Sequence, residues 1–407
     1  MTRIHAVVLS CLLGVFAAGP LSAQESEDPS ANARFHVGPV RLSPAFTFVG
    51  PGIDTNVFNE IDNPKRDTTA RFAPSSEWWL RTGPGMLALN TQVEYQHFVK
   101  YASQRSWNTQ DSGRYSLKFG RVTPFVFGSY ANTRARPNYE IVTRIRHTED
   151  AVGVGTELRV LSKTSVVASA SRTRLRYARN DDVYGASLSD ALDRKTESVR
   201  VDLRQRLSSL TTFVVRAEHQ QDRFDYSPFR DADSVRVTPG FEFKPFALIS
   251  GNAFVGYRSF RPLDPRVPDF KGLVASLDLA YALPSTRFSA RFSRDVVYSF
   301  EPTQPYYLLD DVTVGVTQMI TGSFDVALNV GRQNLGYQEL ITPGVTSEFG
   351  QRNDKALHAG GGFGYWLGHT LRIGLDVDFY KRDSTFYADR NFRSWQAGLS
   401  VKYGLKP

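Results

Sequence analysis

The chain has 407 residues, of which 41% are hydrophobic, 13% aromatic and 22% charged. Its 31 glycines and 21 prolines are too few for a collagenous or low-complexity protein, and its aromatic content is too high for a disordered one. The 49 basic and 41 acidic residues are interleaved and leave a net charge of +8, which argues against a basic nucleic-acid-binding domain. The single cysteine, Cys11, lies near the amino terminus, so the rest of the chain has neither disulfides nor thiol-ligated metals.

The first 23 residues have the pattern of a secretory signal peptide. Thr2-Arg3 supplies a positive region, Ala6–Ala18 an apolar core, and Leu21-Ser22-Ala23 the segment before a cleavage site. We therefore expect export and cleavage after Ala23. A membrane anchor is disfavoured, because 13 apolar residues are fewer than the roughly 20 that span a bilayer. A lipoprotein site at Cys11 is disfavoured because the apolar run continues after it.

Strict alternation of apolar and polar residues recurs through the mature chain and predicts β-strands with one apolar face. In Val235–Thr238 and Phe241–Lys244 the odd positions are apolar and the even ones polar or charged, and Leu371–Phe379 repeats the pattern. Short turns alternate with nine longer polar loops. The short turns are near residues 83–85, 120–122, 161–163, 207–209, 246–248, 284–285, 321–323 and 368–369.

Eight short turns and nine hairpins make about 18 antiparallel strands (16–20 allowing for error) with both termini on the short-turn side. The predicted fold class is all-β: a transmembrane, antiparallel, up-and-down β-barrel with short periplasmic turns and longer extracellular loops. The predicted organisation is a signal peptide at 1–23, a short periplasmic segment at 24–38 and the outer-membrane barrel at 39–405.

A soluble β-sandwich or propeller would show the same alternation with its faces reversed. Strand length favours the barrel, because soluble strands are usually about 5–6 residues long and many of these are more than twice that. Aromatic residues such as Trp78-Trp79 and Tyr365-Trp366 gather at strand ends, as in the aromatic girdles of membrane proteins. An unpaired backbone group in hydrocarbon is costly, so membrane-crossing strands must close into a barrel.

Three segments carry a resemblance to a known family. Pro44 in the first strand, the loop Gly52–Asn59 and the loop Arg136–Glu140 resemble elements of the putative β-barrel porin family of uncharacterised Gram-negative outer-membrane proteins. The resemblance implies an outer-membrane location and a pore, and brings no catalytic residues with it. The chain departs from many barrels by continuing past Tyr403 with Gly404–Pro407 rather than ending on an aromatic residue.

The sequence does not predict an enzyme or a cofactor. Among the histidines of the mature chain, only His358 is clearly expected to face the lumen, and no catalytic triad or phosphate-loop motif accompanies it. Asp54, Asn56, Glu60 and Asp62 are weak candidates for calcium ligands in the first loop. Their spacing is not that of an EF-hand, so a polar, turn-rich loop without metal is favoured.

The face opposite Val199 and Val201 is expected to line the lumen with a basic wall. Two interpretations stay open: solvated lining without selectivity, or a strip that favours anionic solutes because a narrow pore focuses the field of fixed charges. The acidic members are Asp202, Glu218 and Glu242. The basic members are Arg172, Arg174, Arg176, Arg200, Arg204, Arg206, Arg216, Arg236 and Lys244.

A barrel of about 18 strands is wide enough for an aqueous channel, and residues 24–38 are too few to form a plug. We therefore expect an outer-membrane porin for passive diffusion of small hydrophilic solutes, anionic ones among them. The alternative is a structural or polysaccharide-export-associated barrel without open-pore activity of its own. The expected partners are outer-membrane lipid and lipopolysaccharide, the barrel assembly machinery and the solutes, with no nucleic acid.

Overall fold

A computed structural model describes residues 30, 33–179, 182–244, 248–320, 322–341 and 352–404. The predicted signal peptide and part of the predicted 24–38 segment lie outside these residues, as do parts of the turns predicted at 246–248 and 321–323. The described chain forms 18 long strands. They are β1 (Val40–Asp54), β2 (Asp67–Thr82), β3 (Gly85–Phe98), β4 (Ser106–Leu117), β5 (Val122–Ala135), β6 (Ile145–Leu161), β7 (Thr164–Tyr177), β8 (Arg194–Arg206), β9 (Thr211–Phe224), β10 (Ala232–Phe243), β11 (Ile249–Pro262), β12 (Phe270–Ala282), β13 (Thr286–Tyr298), β14 (Tyr306–Met319), β15 (Phe324–Gln338), β16 (Asn353–Leu367), β17 (Leu371–Asp383) and β18 (Phe392–Tyr403).

The 18 strands close into one antiparallel barrel, as predicted. Each strand pairs with the next along the chain, and β18 returns to pair with β1, where Lys402 lies opposite Thr47. The register of β1 with both neighbours shifts between Val49 and Gly52. Closure leaves no strand edge without a partner, which is the condition for crossing hydrocarbon. A further three-residue strand, Phe35–Val37, turns back onto the start of β1.

The connections alternate in length as the sequence predicts. Two residues, 162 and 163, join β6 to β7 at the periplasmic end, whereas residues 178–193 join β7 to β8 at the extracellular end. That longer loop contains one helical turn, Leu188–Leu192, at whose start the Ser187 hydroxyl accepts a hydrogen bond from the Asp190 N–H. Within the described residues there is no helix long and apolar enough to cross a membrane.

The two faces of the barrel separate by polarity. Val199 and Val201 on β8 are 55% and 43% exposed on the outer face, whereas Asp202 between Val201 and Leu203 is buried on the lumen side. Exposed aliphatic side chains also form rows on the outside of several other strands, such as Val152 and Val154 on β6, Val235 and Val237 on β10 and Ile373 and Leu375 on β17. This outside-apolar arrangement is that of a membrane barrel, because lipid rather than water is the solvent for the outer face.

Glycines on β6 accommodate aromatic rings on the lumen side. Phe127 lies opposite Gly153 and Phe125 opposite Gly155. A Cβ atom added to Gly153 would come within 2.3 Å of the Phe127 ring, and one added to Gly155 within 2.4 Å of the Phe125 ring. The Arg114 guanidinium stacks over Phe125 at 3.7 Å from the ring centroid.

The upper part of β13 bends inward. In the described chain β12 and β13 pair only over Ala275–Ala282 and Arg287–Arg294. Beyond that point the Tyr298 hydroxyl donates to Asp222 of β9 at 2.9 Å, and Asp295 accepts from Arg258 of β11 at 2.6 Å. The β13–β14 hairpin tip is thereby directed toward the lumen.

Candidate pore constriction and lumen wall

The loop of residues 136–144, which joins β5 to β6, crosses the lumen; we call it the crossing loop. Glu140 at its centre accepts a hydrogen bond from the Ser299 hydroxyl at 2.5 Å, and its backbone oxygen accepts one from Arg382 at 3.0 Å. Ser299 belongs to the β13–β14 hairpin, which lies almost diametrically opposite the β5–β6 hairpin in the ring of 18 strands. The crossing loop therefore narrows the extracellular side of the barrel.

Hydrophobic contacts and hydrogen bonds hold the crossing loop at both ends. The Arg136 side chain donates to the backbone oxygens of Val57 and Val142, both at 2.6 Å. Ile141 is fully buried in a cluster that includes Phe300 of the opposite hairpin and members of the 178–193 loop. Tyr139 and Val142 pack with Ala356 and Phe392 of β16 and β18. Contacts to several separate elements make the loop part of the folded core.

A network of buried charges surrounds the crossing loop. Arg352 and Arg382 each pair with Asp354 at 2.7 Å, and Arg352 also reaches Glu301 at 3.3 Å. Arg390 pairs with the same Glu301 carboxylate. Breaking a buried ion pair by removing one partner costs about 3–5 kcal/mol, because the other charge is left without compensation. The network therefore ties the hairpins that meet over the lumen to one another.

Glu140 is the titratable centre of this constriction. Its side chain is fully buried, and its pKa is raised to about 7, chiefly by that burial. The nearby Glu301 carboxylate also raises the pKa, whereas the hydrogen bond from Ser299 and the charges of Arg352 and Arg382 lower it. Glu140 consequently changes charge near neutral pH at the point where the crossing loop meets the opposite hairpin.

The lumen wall contains six of the nine predicted basic residues. Four of them pair with the three predicted carboxylates: Arg200 and Arg236 both lie 2.9 Å from Glu218, and Arg216 lies 3.1 Å from Asp202. Arg204 pairs with Glu242. The six are Arg200, Arg204, Arg206, Arg216, Arg236 and Lys244. The wall is thus a ladder of ion pairs across β8, β9 and β10 rather than a strip of positive charge alone.

The prediction was wrong for Arg172, Arg174 and Arg176, which lie on the outer face of β7. The register places Ser169 opposite Arg200, and the Ser171 hydroxyl lies 2.9 Å from that of Ser198, so the odd positions of β7 face the lumen. The alternation is weak here, because the outward positions below the arginines are alanines and Val166-Val167 is apolar on both faces. Only the pairing with β8 decides which face the arginines share.

His358 and the candidate calcium ligands of the first loop are held by hydrogen bonds and ion pairs to neighbouring side chains and backbone. His358 faces the lumen as expected, and its ring lies 3.2 Å from an Asp378 oxygen and stacks on Tyr380. In the first loop Asp54 accepts from the Asn56 backbone, and Glu60 pairs with Lys65 at 3.0 Å. Within the described ranges no group of three or more His, Cys, Asp or Glu side chains converges as a metal site would require.

Sequence reasoning did not assign a role to the crossing loop. Its first five residues, Arg136–Glu140, resemble a loop element of the porin family, and this resemblance is the only sequence feature that singled out the loop. Arg352 and Arg382 had no such signal for their contacts around the crossing loop, because Glu301 and Glu140, which they reach, are distant from them in the chain. A local pattern cannot report a contact that exists only after the barrel has closed.

The periplasmic end of the lumen has a basic cavity between β6, β8 and the neighbouring turns. Five basic side chains and one acidic one line it, together with small polar residues. The charged members are Glu157, Arg159, Lys163, Arg204, Arg206 and Lys244. Arg204 also pairs with Glu242, and the other four basic side chains outnumber the one acidic one, so the side chains of this cavity have a net positive charge that attracts anions.

Solved structures of several outer-membrane proteins are similar to this barrel. The BenF-like porin from Pseudomonas fluorescens Pf-5 has 9% identity and a TM-score of 0.47, covering 89% of this chain and 98% of that one. OpdK from Pseudomonas aeruginosa, solved with vanillate, has 10% identity and a TM-score of 0.48, covering 89% and 97%. The siderophore receptor PirA from Pseudomonas aeruginosa has 10% identity and a TM-score of 0.42, covering 89% and 80%. At such identities these likenesses carry no information about the solute.

No curated protein sequence matches the chain at a significant level. A model of the family described as putative beta-barrel porin 2, in contrast, matches residues 35–404. This match confirms the family resemblance inferred from the sequence, and a porin-like barrel implies an outer-membrane location. The chain therefore belongs to the putative beta-barrel porin 2 family.

Proposed function

We propose that the protein is a passive outer-membrane porin for small hydrophilic solutes with a preference for anions. The observation that carries the proposal is the charged lumen face of a closed 18-strand barrel in a family of porins. Charged and polar walls keep a pore hydrated, and a non-enzymatic channel is the function that this family indicates. Export by a signal peptide cleaved after Ala23 and insertion by the barrel assembly machinery are part of the same proposal.

The anion preference rests on the periplasmic mouth. The wall arginines, Arg204 included, are largely neutralised by Asp202, Glu218 and Glu242, whereas the mouth has four further basic side chains against one acidic one. Fixed charges in a narrow, low-dielectric opening raise the local concentration of the opposite ion. Small anions should therefore enter from the periplasmic side more readily than cations of the same size.

A second candidate is a barrel that is closed on its own and opens only with an export partner. The crossing loop favours it, because that loop spans the lumen and is anchored by buried ion pairs. The two functions differ in one measurable property. A passive porin conducts alone, and a partner-dependent barrel does not.

The test is single-channel recording of the purified protein in planar bilayers under a salt gradient. We expect steady conductance and a reversal potential that indicates chloride over potassium. The double variant Arg206→Gln with Lys244→Gln should lower the chloride preference by about two-fold or more. The effect should shrink at high salt, because the Debye length falls from about 10 Å at 0.1 M to about 3 Å at 1 M.

The matched control is Arg172→Gln with Arg176→Gln, which removes the same charge from the outer face of β7. It should leave the reversal potential unchanged. Absence of conductance in the wild-type protein would support the closed barrel instead. Conductance with equal selectivity in wild type and the Arg206/Lys244 variant would contradict the anion preference while leaving the porin intact.

A further inference from the structure

The outer face of the barrel has a charged patch at its extracellular edge, which we call the rim patch. It occupies the uppermost outward positions of β6 to β10 and the loop just beyond β9. Its basic members are Arg172, Arg174, Arg176, Lys195 and Arg223, and its acidic members are Asp150, Glu197, Asp225 and Asp233.

The rim patch lies directly above the apolar belt. Arg172 is opposite Val152 in the register of β6 and β7, and the next outward residue below it, Ala170, is opposite Val199 of β8. Below this level most outward positions of β6 and β8 are aliphatic, namely Val154, Leu158, Val160, Val199, Val201 and Leu203. The patch therefore begins where the hydrocarbon of the outer leaflet ends.

Aromatic side chains mark the same level independently. Tyr130 of β5 is opposite Asp150 in the register, and it is 43% exposed on the outer face. Trp107 of β4, four residues closer to the extracellular end than Asp111 in the row of Tyr130, is 61% exposed on the outer face and packs against Tyr95 at 4.7 Å between ring centroids. Tyr and Trp concentrate at the boundary between hydrocarbon and headgroups. The charges of the rim patch consequently lie at the depth of the lipid headgroups.

The rim patch is made of open, exchangeable ion pairs. Arg172 lies 3.7 Å from Glu197, with both side chains more than half exposed, and Arg176 lies 3.0 Å from Asp150 with both nearly half exposed. Exposed pairs of this kind contribute little to stability, because each charge is also well solvated. A guanidinium held this way can turn to a phosphate and bind it with two N–H groups. The neighbouring carboxylates can hold a divalent cation against the same phosphate.

We propose that the rim patch binds the phosphorylated headgroup of the outer-leaflet glycolipid, the lipid A part of lipopolysaccharide. The acyl chains would lie on the apolar rows of β6 to β8 and the phosphates would meet Arg172, Arg174 and Arg176. This surface is separate from the lumen, so the inference does not depend on whether the barrel conducts.

The test measures binding of lipid A to the detergent-purified protein by native mass spectrometry, with bisphosphoryl lipid A and its fully dephosphorylated form as probes. The wild-type protein should bind the bisphosphoryl form at least about ten-fold more tightly. The triple variant Arg172→Gln, Arg174→Gln and Arg176→Gln should lose most of that difference. The variant Arg206→Gln with Lys244→Gln, altered inside the lumen, should keep it.

Equal binding of the two lipid A forms by the wild-type protein would overturn the proposal, since acyl-chain contact alone would then explain the association. Unchanged binding by the triple variant would overturn the assignment to the rim patch. Folding of each variant is checked by the shift in gel mobility on boiling. The comparison of the two lipid forms uses only the wild-type protein, so it decides the question even if the triple variant does not fold.

Discussion

Glu140 illustrates how a single residue can couple the folded structure to pH. It is a carboxyl without contact to bulk water, placed between a hydroxyl, two guanidinium groups and another carboxyl at the point where the crossing loop meets the opposite hairpin. Its neutral form is favoured by burial, and its ionised form by Ser299, Arg352 and Arg382. The balance between these effects sets how firmly the loop is held at a given pH.

We predict that docking of the crossing loop weakens as pH rises from about 4.5 to 7. The folded-state pKa of Glu140 is about 7, above its ordinary value of 4.5, so the folded state binds the proton more tightly. The protonated Glu140 side chain therefore adds about 3 kcal/mol to the free energy of unfolding below pH 4.5, and this contribution is lost as the pH rises to about 7. Hydrogen exchange of residues 136–144 should therefore be slower at pH 5 than at pH 8 after correction for intrinsic rates.

The variant Glu140→Gln should remove that pH dependence, because the amide is neutral throughout. Glu60→Gln in the first loop serves as the control and should keep it, since Glu60 is partly exposed and paired with Lys65. The interpretation fails if Glu140→Gln retains the wild-type pH profile.

At the scale of the element, the two faces of each strand have different surroundings. The outer face of β8 is apolar and suited to lipid, and its inner face forms the ion-pair ladder of the lumen. A charged substitution should therefore be costly on the outer face and tolerated on the inner one. The same alternation that predicts the strand leaves its orientation open until the pairing partners are known. β7 shows this, since its arginines were assigned to the wrong face.

We predict that Val201→Lys destabilises the barrel by roughly 2–4 kcal/mol, the usual effect of a charge near the middle of the lipid face. Ser112→Lys, in the middle of β4 on the lumen face, is the matched control. Its neighbours across the strands are Asn90 and Ser129, so the new charge meets water and neutral groups and should cost little. Urea unfolding in lipid vesicles, followed by gel mobility, measures both. Equal destabilisation would contradict the assignment of the faces.

At the scale of the whole molecule, closure and loop length define an inside, an outside and two ends. Long connections at one end meet above the lumen, and short turns surround the basic cavity at the other. This polarity predicts which segments are accessible from outside the cell.

An epitope inserted after Asp62, in the exposed part of the first long loop, should be labelled on intact cells. The same epitope at Ser209, in the turn between β8 and β9, should be labelled only after the outer membrane is permeabilised. Labelling of the Ser209 site but not the Asp62 site on intact cells would show the opposite orientation.

The strands, their number, the alternation of turns and loops and the family could all be predicted from the sequence. Each depends on information within one hairpin: the two-residue period of a segment such as Leu371–Phe379, and the length of the connection that follows it. These features can be predicted locally, because successive side chains of every strand face lipid and the water-filled lumen in turn. Where this alternation is strong, as on β8 to β10, the register groups Arg200, Arg216 and Arg236 on one face with Asp202 and Glu218.

Only the tertiary structure decided the face of Arg172, Arg174 and Arg176, the pairing of the lumen arginines with carboxylates, and the path of the crossing loop. The first required the register with β8, because alanines and consecutive valines leave the local pattern of β7 ambiguous. The second required the register of β8 with β9 and of β9 with β10, which places Arg200 and Arg236 opposite Glu218. The third joins residues far apart in the chain, such as Glu140 and Ser299 or Glu140 and Arg382. These contacts cross the lumen, so they form only when closure of the barrel has brought together segments that share no local pattern.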